Sequence, residues 1–386
     1  MEKNGARSML RNIDTWIGSY IKRSIRRIAG ASVTVKPLHI IFCLVDHFEP
    51  KWGHPDRYVE TARMHRWIEK YRETASWHKD ADGSSPRRSF FYPQEEYEKA
   101  HLDCLAAICC QGFGEVEIHL HHDNDTAQGL KYKIENFKER LESHGLLSID
   151  KLGNTRFGFI HGNWALDNSR ADGRWCGVNN ELEILRDTGC YADFTLPSAP
   201  SDTQTSKINS IYYAKDTAEP KSHNTGIDVK AGLEPSGDLM IIQGPLALNR
   251  RRRRAGVIPR IENSEITLHN PPTDDRVDLW IDQRISVKGR PDWIFVKIYT
   301  HGLQDDNLKD EYFKNLDHMF DYLEKRYNDD SHYKLHYVTA REMYNIIKAA
   351  EAGEAGGPGM YRDYMIKSNI RPLTIGYKRK AVAHAK

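Results

Sequence analysis

Short apolar segments recur along this chain in alternation with amphipathic ones, and that rhythm limits its fold more than any other feature. Leu38 to Val45 (LHIIFCLV) is a nearly continuous apolar run rich in branched residues. Its length and composition suit a strand buried on both faces of a parallel sheet. Further strands are expected at 89–92, 115–121, 156–160, 192–196, 239–243, 293–299 and 333–338. Between them, the spacing predicts helices at 94–110, 126–144, 179–188, 308–327 and 340–350. Alternation of this kind implies βαβ units with crossover helices. An irregular (β/α) barrel of seven or eight strands fits it better than an open sheet.

The rhythm breaks after Pro197. Residues 198–238, rich in Ser, Thr, Asp, Lys and Pro, are expected to form a long excursion over the barrel mouth. The barrel domain is assigned to 37–352. It is preceded by a basic helical extension at 1–36 and followed by a flexible extension at 353–386, opened by GEAGGPG.

Composition excludes several classes. Charged residues make up 28% of the chain and hydrophobic residues 39%, which is neither disordered nor membranous. A formal charge of +2 gives no general attraction to nucleic acid, so none is expected as a partner. No apolar run approaches the roughly 18 residues of a membrane span. Trp16 to Ile28 is interrupted by Lys22, Arg23, Arg26 and Arg27, unlike a signal peptide. It reads as an amphipathic helix that packs on the domain, with peripheral contact to an anionic membrane as the alternative. Missing signals and six scattered cysteines without a CxxC pair point to the cytoplasm. The dinucleotide fingerprint and the phosphate loop are both absent.

In parallel α/β folds, catalytic groups gather at the carboxyl ends of the strands. Four strand ends here carry histidine or carboxylate: Asp46-His47-Phe48-Glu49, His119-Leu-His121-His122-Asp123, His161-Gly-Asn163-Trp164 and Thr300-His301. His119 and His121 point the same way because side chains alternate along a strand. His122 and Asp123 can turn back toward the same point. Imidazole and carboxylate suit zinc and other first-row divalent ions. His301 is a candidate acid or base. Trp164, with Glu49, His161 and Asn163 nearby, is a candidate sugar contact. The arginine run 250–254 reads either as an anion grip or as a solvated loop.

FCLVDHFEP (42–50), EVEIHLHHD (115–123) and VKIYTHG (296–302) together resemble the motifs of the polysaccharide deacetylase (NodB-like) superfamily. The likeness runs over roughly residues 38–340. It implies a barrel with one divalent ion, zinc first and cobalt, iron, manganese or nickel as alternatives. Asp46 would be base or ligand, and His47 would replace the family's second aspartate. His119 would be a ligand, with Asp123 standing at the second histidine and His121 or His122 able to substitute. His301 would be the acid. The implied reaction is removal of an N- or O-acetyl group from a carbohydrate, in surface polysaccharide metabolism. Two other readings stand beside it: a glycoside hydrolase using paired carboxylates such as Asp46 or Glu49 with Asp123 or Asp193, and a catalytically silent carbohydrate-binding protein.

Overall fold

The computed structural model describes residues 12–29, 36–254 and 256–370. In chain order its strands begin with β1 (Leu38–His47), β2 (Arg88–Pro93), β3 (Gly114–Leu120), β4 (Ser148–Asp150), β5 (Thr155–His161) and β6 (Cys190–Asp193). They continue with β7 (Ile211–Ala214), β8 (Ile227–Asp228), β9 (Leu239–Ile242), β10 (Ala247–Arg254) and β11 (Ile258–Glu262). The last three are β12 (Trp293–Thr300), β13 (Tyr333–Val338) and β14 (Ile366–Ser368). The longer helices are α1 (Ile13–Ala29), α2 (Arg57–Ser76), α3 (Lys99–Cys110), α4 (Ala127–Ser143), α5 (Glu181–Asp187), α6 (Asp274–Asp282), α7 (Asp310–Tyr327) and α8 (Ala340–Ala352).

The result is a mixed α/β fold on a large, mostly parallel sheet ordered β12-β1-β2-β3-β5-β6-β9-β7-β8. β1 is its hub. One edge pairs with β12, His39–Asp46 facing Trp293–Thr300. The other edge is shared, Leu38–Cys43 pairing with β13 and Leu44–His47 with β2. Both faces of β1 are apolar because both are covered. Ile40, Phe42 and Leu44 pack into the core that includes residues of α2, α3, α4 and α7. Ile41, Cys43 and Val45 join Phe91, Ile160, Phe194 and Phe295 in a second, inner core. Each fully buried aliphatic or phenyl side chain there contributes about 1.5–3 kcal/mol.

The sheet curls toward closure. Lys297 of β12 is buried, and its Nζ donates to the carbonyls of Phe194 and Leu196, at 2.7 and 2.6 Å, just beyond β6. Burial drives its pKa down to about 7. After β9 the chain passes so close to β12 that a Cβ on Gly244 would lie 2.3 Å from the Lys297 carbonyl oxygen, so only glycine fits there.

Several expectations change. The 198–238 excursion is part of the sheet, because β7 pairs antiparallel with β9 and β8 with β7. The arginine run is a strand, β10, in a separate hairpin with β11; Asn249 Oδ1 accepts from the backbone N–H groups of Arg251 and Arg252. The extension expected to be flexible is docked as far as residue 370. Arg341 and Asn345 of α8 bond the carbonyls of Arg362 and Ile366, and β14 pairs with β4. Residues 371–386, like 1–11 and 30–35, lie outside the described residues. On α1, Trp16 and Tyr20 are buried with Ala199, Ile208 and Leu246, while Ile21 and Ile25 face solvent. No helix among the described residues is long and apolar enough to cross a membrane.

Candidate active site at the strand ends

The carboxyl ends of β1, β3 and β12 bring five ionisable side chains together. His47 ends β1, and the turn after it carries Glu49 back into the interior, only 5% exposed. His119 on β3 places Nε2 3.2 Å from Glu49 Oε1, and His121 places Nε2 3.5 Å from the same oxygen. The His301 ring, just past β12, stacks on His47 with centroids 4.5 Å apart. Glu49 Oε2 is buried without a hydrogen-bond partner. Two overlapping triads, Glu49-His119-His121 and His47-Glu49-His301, each hold three ligand atoms within 4.8 Å of one another, a donor set suited to a first-row divalent ion.

Electrostatics divide the group. Burial raises the Glu49 carboxyl, but the His119 hydrogen bond and the charges of His301 and His121 outweigh it and hold the pKa below the usual range. Burial, reinforced by neighbouring histidines, lowers His47 and His119. His121 goes the other way, because a close hydrogen bond donated to the Glu95 carboxylate, with that carboxylate's charge, overcomes its burial. Glu96 accepts from the Lys51 N–H at 2.6 Å, and burial drives its pKa up to about 7, with Glu49 and Glu95 adding like charge. The Glu49 carboxyl is thus pushed down and the Glu96 carboxyl up, the kind of separation that divides acid from base.

Trp164 borders the same space, its ring 6.5 Å from His47 and 6.3 Å from His301. Its indole N–H is buried without a partner, a donor free for a ligand. Asn163 and Trp164 both hold left-handed backbone, φ 54° and 56°, on the turn after β5. Gly162 is required beside them: a Cβ there would meet the His121 ring at 2.2 Å.

Three expected residues lie elsewhere. Asp46 is fully buried and committed, its Oδ2 to Arg88 at 2.9 Å and its Oδ1 to the Gly302 N–H at 2.7 Å, so both oxygens are held in the interior away from a reacting water. Asp123 turns outward, accepting from the Trp175 N–H at 2.6 Å and pairing with Arg174, because the chain reverses after His122. It belongs to none of the ligand groups found among the described residues. His161 is wholly buried and faces Glu181, with no exposed surface to offer a sugar.

No family model matches the chain, and no curated protein matches it. Among solved structures, it is similar to a 4-alpha-glucanotransferase from Thermococcus litoralis, with TM-score 0.42 and 11% identity, covering 80% of this chain and 40% of that one. It is also similar to a GH57 branching enzyme from Thermococcus kodakaraensis in complex with glucose, with TM-score 0.38 and 12% identity, covering 76% and 69%. With Asp46 locked and Asp123 turned away, the residues expected to act as base and ligand are not available to a substrate, and the expectation of a NodB-like deacetylase is corrected.

Proposed function

We propose that the strand-end site acts on a glycosidic bond of a carbohydrate, as a glycoside hydrolase on an irregular (β/α) barrel. The observation that carries this reading is Glu49, a buried carboxylate with one oxygen held by His119 and the other without a partner. A carboxylate so placed is a nucleophile or base in waiting. Glu96, protonated up to about pH 7, supplies the proton that the leaving sugar oxygen needs. Trp164 offers a ring face and an indole donor to a sugar.

The test is turnover of a panel of oligosaccharides, followed by chromatography of the products, with wild type, Glu49→Gln and Glu96→Gln. Cleavage or transfer lost in Glu49→Gln supports the reading. Sugar binding by calorimetry without turnover makes the protein a carbohydrate-binding one instead.

A second reading keeps the glycosidic bond and adds a divalent ion, favoured by one detail of His119. Its Nδ1 lies 2.8 Å from the Ile160 carbonyl and so carries the ring proton. Nε2 then faces Glu49 as a lone pair, an arrangement completed by a proton or by a cation. Activity unchanged by chelator supports the first reading; activity lost to chelator and restored by a divalent ion supports the second.

A further inference from the structure

Next to the mouth lies a second cluster that the proposed reaction does not use. His122, just beyond β3, His161, the last residue of β5, Cys176 in the following loop and Glu181 at the start of α5 are all buried. Each offers a ligand atom, and the four lie within 4.8 Å of one another. Three separations center on Glu181: 3.3 Å to His122 Nε2, 3.5 Å to His161 Nε2 and 3.5 Å to Cys176 Sγ. Ligands in a tetrahedron with bonds of about 2.0–2.3 Å stand roughly 3.3–3.8 Å apart.

We propose that His122, His161, Cys176 and Glu181 form a closed site for one divalent first-row transition-metal ion, tying the 165–180 loop and α5 to the exits of β3 and β5.

The surroundings of each ligand support the assignment. His161 Nδ1 lies 2.6 Å from the Gly162 carbonyl, which fixes the proton there in the neutral ring. Its Nε2, fully buried and without a hydrogen-bond partner, then points a lone pair at a carboxylate. His122 directs its Nε2 to the center, and its Nδ1, 3.2 Å from Asp125 Oδ2, makes no hydrogen bond. In His161, one nitrogen on a backbone carbonyl and the other free for the ion is the usual metal-bound arrangement. Cys176 Sγ accepts from the backbone N–H groups of Asn168 and Val178, at 3.3 and 3.4 Å, two donors that suit a thiolate. No lysine or arginine pairs with Glu181 among the described residues, so its charge has no other full cation.

Binding is balanced. The Cys176 S–H bond breaks, an S–metal bond forms, and the proton leaves to solvent. Thiolate and carboxylate together cancel the charge of the ion, and both imidazoles stay neutral. Four protein ligands leave no open position, which marks a structural site rather than a catalytic one. Soft thiolate and imidazole favour borderline ions of the zinc and cobalt kind over magnesium or calcium.

The experiment is elemental analysis of the full-length protein, followed by absorption spectra after exchange into cobalt(II). One ion per chain and a strong thiolate-to-cobalt charge-transfer band are expected. Cys176→Ser should lose the band, and His161→Gln should lose the ion, whereas Glu49→Gln and His119→Ala keep both. An ion at the mouth adds no sulfur band, so the two sites are distinguishable. The wild-type spectrum needs no variant to fold: a cobalt complex without the sulfur band overturns the proposal. So does wild-type protein that takes up no ion, or an ion that survives Cys176→Ser and leaves with His119→Ala.

Discussion

Arg88 and Asp46 form an ion pair 2.9 Å long with both side chains wholly buried, and the guanidinium also lies over the rings of Trp67 and Tyr71. Removing one partner of such a pair strands the other charge in a low-dielectric interior, at about 3–5 kcal/mol. Asp46→Asn is therefore expected to destabilise the fold by that amount, read as a lowered midpoint in denaturant melts. Stability within about 1 kcal/mol of wild type together with abolished turnover would instead make Asp46 a reacting group.

Glu49 behaves oppositely, because half of its carboxylate is unsatisfied. Glu49→Gln is expected to cut kcat/KM by about 10²–10⁴-fold while leaving the melting midpoint near that of wild type. Steady-state kinetics and a melt on one preparation check both halves. A variant with full activity would remove Glu49 from the mechanism.

The pH–rate profile reports on Glu96. Its raised pKa keeps it protonated below about pH 7, so activity that needs this proton falls as pH rises through about 7. In Glu96→Gln the alkaline limb should disappear along with most of the rate. A wild-type profile flat to about pH 9 would assign the proton to another group.

Stability has its own pH dependence through Glu117. This carboxyl, 2% exposed on β3, accepts from the Tyr191 hydroxyl at 2.6 Å, and burial drives its pKa up to about 8. The unfolded value is about 4.3, so between the two the native state holds the extra proton. Its contribution is full below about pH 4.3 and drains away as pH rises to about 8. Chemical denaturation at pH 5 and pH 8 should show wild type losing more stability than Glu117→Gln, by an amount on the order of a few kcal/mol. Equal losses in the two proteins would mean that Glu117 is already ionised at pH 5.

Periodicity made the parallel strands legible, because continuous apolar runs such as 38–45 and 293–299 occur where a strand is covered on both faces. It failed for α2, a helix of 20 residues whose apolar positions are only Tyr58, Val59, Ala62, Met64, Trp67, Ile68, Tyr71 and Ala75, set among charged residues. The strand-end rule found His47, Glu49, His119, His121 and His301, which do converge. Asp46 and Asp123 failed the same rule because one is neutralised by Arg88, far away in sequence, and the other by a loop reversal. Glu95 and Glu96 follow β2 directly, and the rule would have found them, but Q-E-E reads equally well as the first turn of a helix. The cluster of His161, Cys176 and Glu181 spans a loop without regular spacing, so only the folded chain brings it together.

The divided edge of β1 sets a timetable for synthesis. Its partners stretch from Arg88 to Val338, so a strand made almost first can be fully paired only when nearly the whole chain exists. At about 5–20 residues per second, the 291 residues that follow His47 up to Val338 take roughly 15–60 s to emerge. Through that interval an apolar strand with an open edge waits on the ribosome, a ready target for chaperones and for mispairing with a neighbouring nascent chain.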